Sequence, residues 1–339
     1  MQQQVTVYGA YGHTGRFVIA ELLRRGWLPV LVGRDAAKLA AFGAQYPGLE
    51  VRVATVDDPI SLDRALAGAS AVINCAGPFA NTAPALIEAA LRSKIPYLDV
   101  AAEIEANLDT LANFSDRARE AGIIILPAMA FFGGLGDLLA TAAVGDWPTV
   151  DELSIAYGLS SWHPTAGTRA AGQVSRARRG GRRIVYVDGR LEYRDGSAPP
   201  GEWTFPQPLG TQPVVTEFTM ADAVTIPHHI PVSELRSYMT ASAVSDLVDP
   251  ALEPPIAVDD SGRSSQTFVV EVVARADGET RRLSASGRDI YAISAPLVVE
   301  ALGRILDGSA RAPGVFTAGQ IFDADGFLRS LSPDFITLA

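Results

Sequence analysis

The residues best suited to binding chemistry lie at the start of the chain, in the segment Gly9–Arg16, GAYGHTGR. It follows an apolar stretch, Val5–Tyr8, and precedes an amphipathic one. Glycine accepts positive φ and close backbone approach, and a helix N-terminus offers N–H groups and a positive dipole end to phosphate. Although GxGxxG is the commoner spacing, this strand, turn and helix predict a dinucleotide site. The residues assigned to it are Gly9, Tyr11, Gly12, His13, Thr14 and Gly15.

The end of the second predicted strand indicates which dinucleotide is bound. It contains Gly33, Arg34 and Asp35, with Lys38 one helical turn further on. An acidic residue here favours the ribose 2′-OH of NAD, whereas an arginine accommodates the 2′-phosphate of NADP. Arg34 offers a planar fork and Lys38 a second cation. Two alternatives stay open. Asp35 faces the ribose 2′-OH, as in proteins that bind NAD, or Arg34 and Lys38 contact only solvent. We predict NADP(H).

The end of the fourth predicted strand is expected beside the cofactor, at the carboxyl edge of a parallel sheet. Small residues there allow the backbone to contact the ribose and the nicotinamide. Cys75 is interpreted as a small buried group, because no histidine lies near it in the sequence. Asp57, after the third strand, either binds the adenine amino group or begins the next turn. The residues assigned here to the cofactor are Cys75, Ala76, Gly77, Pro78 and Asp57.

Three residues are weak candidates for catalysis. Asp99 and Glu103 follow the fifth predicted strand, with helix capping as the alternative. His163 lies in a predicted loop, where a proton donor near neutral pH and an incidental histidine are both open. His228 and His229 adjoin in a proline-flanked turn without ligands in metal-binding spacing. We therefore predict no metal site.

The elements that position these residues alternate between strand and helix over residues 1–127, with six predicted strands and a fourth helix that starts at Pro84. This order predicts a Rossmann-type, doubly wound parallel sheet in an α/β protein. After about residue 150 the patterns have period two, with hairpin signals at Asp188-Gly189 and Asp277-Gly278. We predict an NADP-binding domain over 1–127 and a substrate and dimerisation domain, α+β with a mainly antiparallel sheet, over 128–290. A helix and tail over 291–339 are expected to pack back on the first domain.

Composition narrows the functional classes. The chain has 339 residues, a net charge of −10 and one cysteine. The acidic balance argues against a nucleic-acid partner, and the single cysteine suits a reducing cytoplasm. The start of the chain shows no basic and apolar leader pattern. Between Gly122 and Gly145 Asp137 is the only ionisable residue, but Pro127 and a glycine cluster interrupt this run, so we predict no membrane insertion.

Several segments together resemble the saccharopine-dehydrogenase-like NADP-binding oxidoreductases, which include the trans-acting enoyl reductases. The resemblance is good over about the first 140 residues and thin afterwards. It implies an NADP(H)-binding Rossmann domain, a mixed domain that shapes the substrate site, and often a homodimer. The segments that carry it are GAYGHTGR at 9–16, VGRDAAKL at 32–39, NCAGPF at 74–79, YLDVAAE at 97–103 and FGGLGDLL at 132–139.

We predict an NADP(H)-dependent oxidoreductase that transfers a hydride to or from a C=N or C=C bond of a small organic substrate. The alternative is a non-catalytic NADPH-binding redox sensor. The nearly continuous apolar strand Thr267–Val273 predicts burial on both faces, beneath helices or against a second copy of the chain. A homodimer through this sheet is the expected assembly.

Overall fold

The computed structural model describes residues 3–310 and 312–339. These residues form two compact units. The first unit comprises the described residues within Met1–Ala130 and Ser294–Phe316, and the second comprises Phe131–Ile293 and Thr317–Ala339. The three-part division expected from the sequence stays a prediction about which segments fold independently.

The first part of the chain alternates strictly between strand and helix. The strands are β1 (Gln4–Tyr8), β2 (Leu28–Gly33), β3 (Glu50–Val53), β4 (Ala71–Asn74), β5 (Tyr97–Asp99) and β6 (Ile124–Leu126). The helices are α1 (His13–Arg24), α2 (Ala36–Gly43), α3 (Pro59–Leu66), α4 (Phe79–Ser93) and α5 (Ile104–Ala121).

The second part begins with a π-type turn, Phe131–Leu135, and is dominated by strands. The strands are β7 (Val150–Leu159), β8 (Arg183–Val187), β9 (Arg190–Arg194), β10 (Pro200–Thr204), β11 (Thr211–Thr216), β12 (Val232–Thr240), β13 (Thr267–Ala276) and β14 (Glu279–Arg288). The helices are α6 (Gly136–Val144), α7 (Ala166–Arg178), α8 (Asp222–Thr225) and α9 (Ala241–Val248). The remaining elements are α10 (Ser294–Leu306), β15 (Gly314–Val315), α11 (Ala318–Ile321), α12 (Ala324–Leu331) and β16 (Ile336–Leu338).

The first unit is built on a parallel sheet in the order β15-β6-β5-β4-β1-β2-β3. β1 pairs with β2 on one side and β4 on the other, so the strand order reverses beside β1. In such sheets ligands bind at the carboxyl ends of the strands at this reversal. β15 is a seventh strand that the six-strand prediction lacks, because two residues are too few to show a period. α10 packs on α1, and Arg25 pairs with Glu300 at 2.6 Å.

One helix begins earlier than predicted. The sequence placed its start at Pro84, whereas α4 begins at Phe79 and includes Pro84. Proline at an interior position removes one i to i−4 hydrogen bond. The first turn is stabilised instead by the carboxylate of Glu103, which accepts from the N–H groups of Phe79 and Ala80. This cap comes from a residue about 24 positions away, so no local pattern reveals it.

The second unit is built on a mainly antiparallel sheet in the order β10-β11-β12-β7-β13-β14-β16, and β8 and β9 extend it beside β12. Among its described pairs, β7 and β12 are parallel. The predicted hairpins form: Asp188 and Gly189 join β8 to β9 with φ of 49° and 72°, and Asp277 and Gly278 join β13 to β14 with φ of 51° and 81°. Positive φ at both positions defines the type I′ turn, whose twist suits a hairpin.

The apolar strand Thr267–Val273 lies within β13, at the centre of this sheet between β7 and β14. α6 packs on β13, and Glu271 accepts a 2.7 Å hydrogen bond from the indole of Trp203 in β10. Val269 packs against a cluster that includes Phe205. Elements of the same chain therefore bury much of this strand, and a second copy is not needed to explain its composition.

The apolar run Gly122–Gly145 is divided as the sequence predicts, into β6, the Phe131–Leu135 turn and α6. Over residues 3–310 and 312–339, the structure contains no helix with the length and apolar character of a membrane span.

Candidate functional site

The turn between β1 and α1 is tight enough to require its glycines. Gly9 has φ of +86°, and a Cβ there would lie 3.0 Å from Ala76, which follows β4. A Cβ at Gly15 would lie 2.3 Å from the carbonyl oxygen of Gly9. Gly12 is the N-cap of α1 and offers no side-chain cap. A glycine-rich turn that leads into a helix N-terminus is the usual arrangement for binding phosphate.

The neighbouring end of β4 is held by a buried polar network. The side-chain amide of Asn74 donates to the Thr82 hydroxyl at 3.1 Å and to the Tyr97 hydroxyl at 3.2 Å. Its oxygen accepts from the N–H of Ala76 at 3.0 Å, and the Thr82 hydroxyl donates to the carbonyl of Ala76 at 2.6 Å. These bonds fix the backbone that continues into Gly77 and Pro78.

Cys75 has a structural role. Its N–H donates to the carbonyl of Tyr8 at 2.8 Å, which continues the β1–β4 pairing. The residue is half-buried, and desolvation of the thiol, with a smaller effect from Asp99, raises its pKa. The thiol is therefore protonated at neutral pH, which suits a small packing group and not a nucleophile.

The residues predicted to discriminate between NADP and NAD lie at the end of β2 and the start of α2. Asp35 is the N-cap of α2, and its Oδ1 accepts from the N–H of Lys38 at 3.0 Å. Arg34 is exposed. Burial raises the pKa of Tyr8, and the charge of Arg34 offsets part of this rise, which places Arg34 near the carboxyl end of β1. The carboxylate of Asp35 thus has a structural partner, while Arg34 faces solvent.

Asp99, the first catalytic candidate, is buried, with 1% of its surface exposed. Its Oδ2 accepts from the Tyr97 hydroxyl at 2.8 Å, and its Oδ1 accepts from the N–H groups of Ala101 at 3.0 Å and Ala128 at 2.8 Å. Burial raises its pKa to about 6, against the effect of these hydrogen bonds. The carboxyl group therefore orders the loops that follow β5 and β6.

Glu103, the second candidate, caps α4. Its two carboxylate oxygens accept from the N–H groups of Phe79 at 2.7 Å and Ala80 at 3.1 Å. Burial raises its pKa. The geometry matches the capping alternative, since both oxygens are occupied by backbone donors.

His163 and Asp57 lie away from such networks. His163 follows β7 in an irregular segment, and its Nδ1 lies 2.9 Å from the carbonyl oxygen of Glu253. Asp57 is exposed after β3. Their assigned roles stay predictions.

A histidine and an aspartate that the sequence analysis did not connect form a buried pair in the second unit. Asp137, near the start of α6, is fully buried. Its Oδ1 lies 2.7 Å from Nε2 of His229, and its Oδ2 accepts from the N–H of Gly319 at 2.8 Å. A carboxylate on one ring nitrogen fixes the tautomer and orientation of a histidine. Ninety-two positions separate the two residues, so no spacing pattern indicates the pair.

A second buried carboxyl group stands beside this pair. Asp222 accepts from the N–H of Gly133 at 3.0 Å and faces the hydroxyl of Tyr157. Burial raises the pKa of Asp222 to about 6, and the Asp137 charge adds to the rise. Gly133 has φ of +95°, so Asp222 holds the turn at a position that only glycine adopts readily.

Within residues 3–310 and 312–339, three or more His, Cys, Asp or Glu side chains nowhere converge as a metal site would require. The absence of a metal from the protein stays a prediction.

The first part of the chain is similar to known proteins. Residues 5–126 match the family described as the saccharopine dehydrogenase NADP binding domain. The chain is 32% identical over 142 residues to a probable mitochondrial saccharopine dehydrogenase-like oxidoreductase of Arabidopsis thaliana, covering 38% of this chain and 31% of the relative. It is 28% identical over 136 residues to a lipid droplet localized protein of Caenorhabditis elegans, covering 37% and 32%. The matched region spans about a third of each relative's length.

The fold also matches a solved structure. Apo saccharopine dehydrogenase (L-Glu forming) of Saccharomyces cerevisiae aligns with a TM-score of 0.70, over 99% of both chains and at 14% identity. At 14% identity, this structural match shows that the two proteins share a fold. The predicted combination of a Rossmann-type parallel sheet and a mainly antiparallel second sheet is confirmed.

Proposed function

We propose that this chain, whose residues 5–126 match the saccharopine dehydrogenase NADP binding domain, is an NADP(H)-dependent oxidoreductase. The observation that carries the proposal is the glycine turn between β1 and α1, located where the strand order reverses. A Cβ at Gly9 would lie 3.0 Å from the backbone of Cys75 and Ala76, and one at Gly15 would lie 2.3 Å from the carbonyl oxygen of Gly9, so the tight turn that brings a helix N-terminus to a pyrophosphate requires glycine at both positions. The residues present therefore fit the cofactor.

The proposed cofactor residues lie at the carboxyl ends of neighbouring strands. They are Gly9, Tyr11, Gly12, His13, Thr14 and Gly15 after β1, Gly33, Arg34 and Lys38 after β2, Asp57 after β3, and Cys75, Ala76, Gly77 and Pro78 after β4. The preference for NADP is supported by Asp35, whose Oδ1 caps α2, and by the exposed cations Arg34 and Lys38. A dianionic 2′-phosphate is stabilised by such cations.

The proposed reaction is hydride transfer to or from a C=N or C=C bond of a small organic substrate. Bound NADPH supplies the hydride, and the protein supplies orientation and proton handling. Asp99 and Glu103 are assigned to positioning, since backbone N–H groups occupy oxygens of both carboxylates.

A substrate screen tests the enzymatic proposal. Imines, enones and ketones are incubated with the protein and NADPH, and the loss of absorbance at the nicotinamide band is followed. Oxidation with at least one class, in proportion to product, is the expected result. Tight NADPH binding with no turnover across all three classes would instead support the redox sensor.

The assembly and location are proposals of the same kind. The net charge of −10 opposes binding to nucleic acid. We propose a homodimer through the second sheet. We also propose a cytoplasmic location, although one relative is named as probably mitochondrial and another as localized to lipid droplets. Light scattering at micromolar concentration tests the dimer, and a mass near 35.8 kDa would contradict it.

A further inference from the structure

The aromatic residue inside the glycine turn lies across the end of β2. A Cβ at Gly33 would be 2.5 Å from Cε1 of Tyr11, so the ring lies directly on the glycine backbone. The ring therefore reaches from the pyrophosphate turn to the strand end that distinguishes the two cofactors.

Tyr11 is held at both its backbone and its hydroxyl. Nε of Arg16 donates to the carbonyl oxygen of Tyr11 at 3.3 Å, and the Arg16 guanidinium lies 5.4 Å from the centre of the Phe42 ring in α2. At the other end, the N–H of Asp35 donates to the Tyr11 hydroxyl oxygen at 3.3 Å. The side chain is thus oriented before any ligand arrives, and preorganised groups lose little entropy on binding.

The hydrogen bond from the N–H of Asp35 uses the Tyr11 hydroxyl as an acceptor and leaves its proton available for donation. A phenol oxygen that accepts from a backbone N–H keeps its own proton for donation. The donor residue follows Arg34 directly in the chain, so this hydroxyl lies beside the backbone of the arginine assigned to the 2′-phosphate. Oδ1 of Asp35 accepts from the N–H of Lys38, which gives it a partner other than a ribose hydroxyl.

We propose that the Tyr11 hydroxyl donates a hydrogen bond to the 2′-phosphate of NADP(H), which makes Tyr11 a specificity-determining residue together with Arg34. The inference rests on the proposed cofactor site and adds one directional donor to its cations. A phosphate oxygen is a strong acceptor, and hydrogen bonds to charged groups exceed those between neutral partners. NAD(H) carries a neutral 2′-hydroxyl there, which is a weaker acceptor than the charged phosphate.

The test compares Tyr11→Phe with Tyr46→Phe, a matched control whose ring packs on the same Phe42 at 5.2 Å. Dissociation constants are measured for NADPH and NADH by fluorescence, and for 2′,5′-ADP and 5′-AMP by calorimetry. Tyr11→Phe is expected to weaken NADPH and 2′,5′-ADP about tenfold, while changing NADH and 5′-AMP less than about twofold. Tyr46→Phe is expected to leave all four unchanged.

Two further outcomes separate the inference from the proposal beneath it. If the wild type binds NADPH and Tyr11→Phe weakens all four nucleotides equally, or none, the role of Tyr11 is wrong while the cofactor site stands. If the wild type binds neither NADPH nor NADH, the cofactor site itself is wrong and the inference falls with it.

Discussion

The glycine turn of the first unit and the buried polar cluster of the second unit are built in opposite ways. The turn takes its glycines from one segment of eight residues, Gly9–Arg16, and its geometry depends on backbone alone. In the cluster, Asp137 bonds to His229 and to the N–H of Gly319, and Asp222 bonds to the N–H of Gly133, over separations of 89 to 182 positions. A site made from backbone geometry is visible in the sequence, whereas a site made from side-chain convergence becomes visible only in the fold.

The largest effect is expected from Gly15→Val. A side chain there meets the carbonyl oxygen of Gly9 at 2.3 Å, so the turn must open and the phosphate loses its approach. NADPH binding should weaken by more than about 4 kcal/mol, to below detection in a fluorescence titration. Gly172→Ala is the control, because its Cβ meets nothing within 4 Å and it should bind normally. If Gly15→Val bound NADPH as tightly as the wild type does, the turn would not be part of the cofactor site.

The next effect concerns the cluster. His229→Ala leaves the buried carboxylate of Asp137 without the imidazole that lies 2.7 Å from it, so the free energy of unfolding should fall by about 3 kcal/mol. His228→Ala, at the exposed neighbouring position, should change it by less than about 0.5 kcal/mol. Urea unfolding at pH 7 measures both variants, and equal stabilities would show that the His229–Asp137 pair does not stabilise the fold.

A smaller effect is expected at the end of β2. Arg34→Ala removes a charge-assisted hydrogen bond to the 2′-phosphate, so NADPH should weaken by about 1.5–3 kcal/mol. NADH binding serves as the internal control and should change little. A parallel loss for both cofactors would mean that Arg34 supports the fold of the site and not its selectivity.

The smallest effect is a pH dependence of stability in both units. Burial raises the pKa values of Asp99 and Asp222 to about 6, above the value of 3.8 for an unperturbed aspartate. The folded protein then binds these protons more tightly than the unfolded chain does, so the stability present below pH 3.8 is lost as the pH rises through 6. Between pH 5 and 7 each group should lower the free energy of unfolding by about 1 kcal/mol.

Urea unfolding of the wild type and Asp99→Asn across this range isolates one group. The stability of the variant relative to the wild type should rise by about 1 kcal/mol from pH 5 to pH 7, since asparagine does not titrate. A constant difference would show that Asp99 keeps an ordinary pKa.

The sequence predicted those parts of the fold that depend on local patterns. The alternation up to β6 and the Asp-Gly hairpins follow from periodicity and turn geometry, and both form. The early start of α4 escaped prediction because Glu103 caps it from another loop. Asp99 is the last residue of β5 and Glu103 lies in the loop after it, and only the fold reveals which backbone donors their carboxylates meet. The His229–Asp137 pair was missed for the same reason, as each residue alone resembles a helix start or a turn.

The most direct test of the central claim is titration of the wild-type protein with NADPH and NADH under identical conditions, followed by protein fluorescence. The account predicts saturable binding of NADPH at least tenfold tighter than that of NADH, with one site per chain. Equal or tighter binding of NADH would contradict the assignment of Arg34 and the 2′-phosphate, and failure of both to bind would contradict the cofactor site itself.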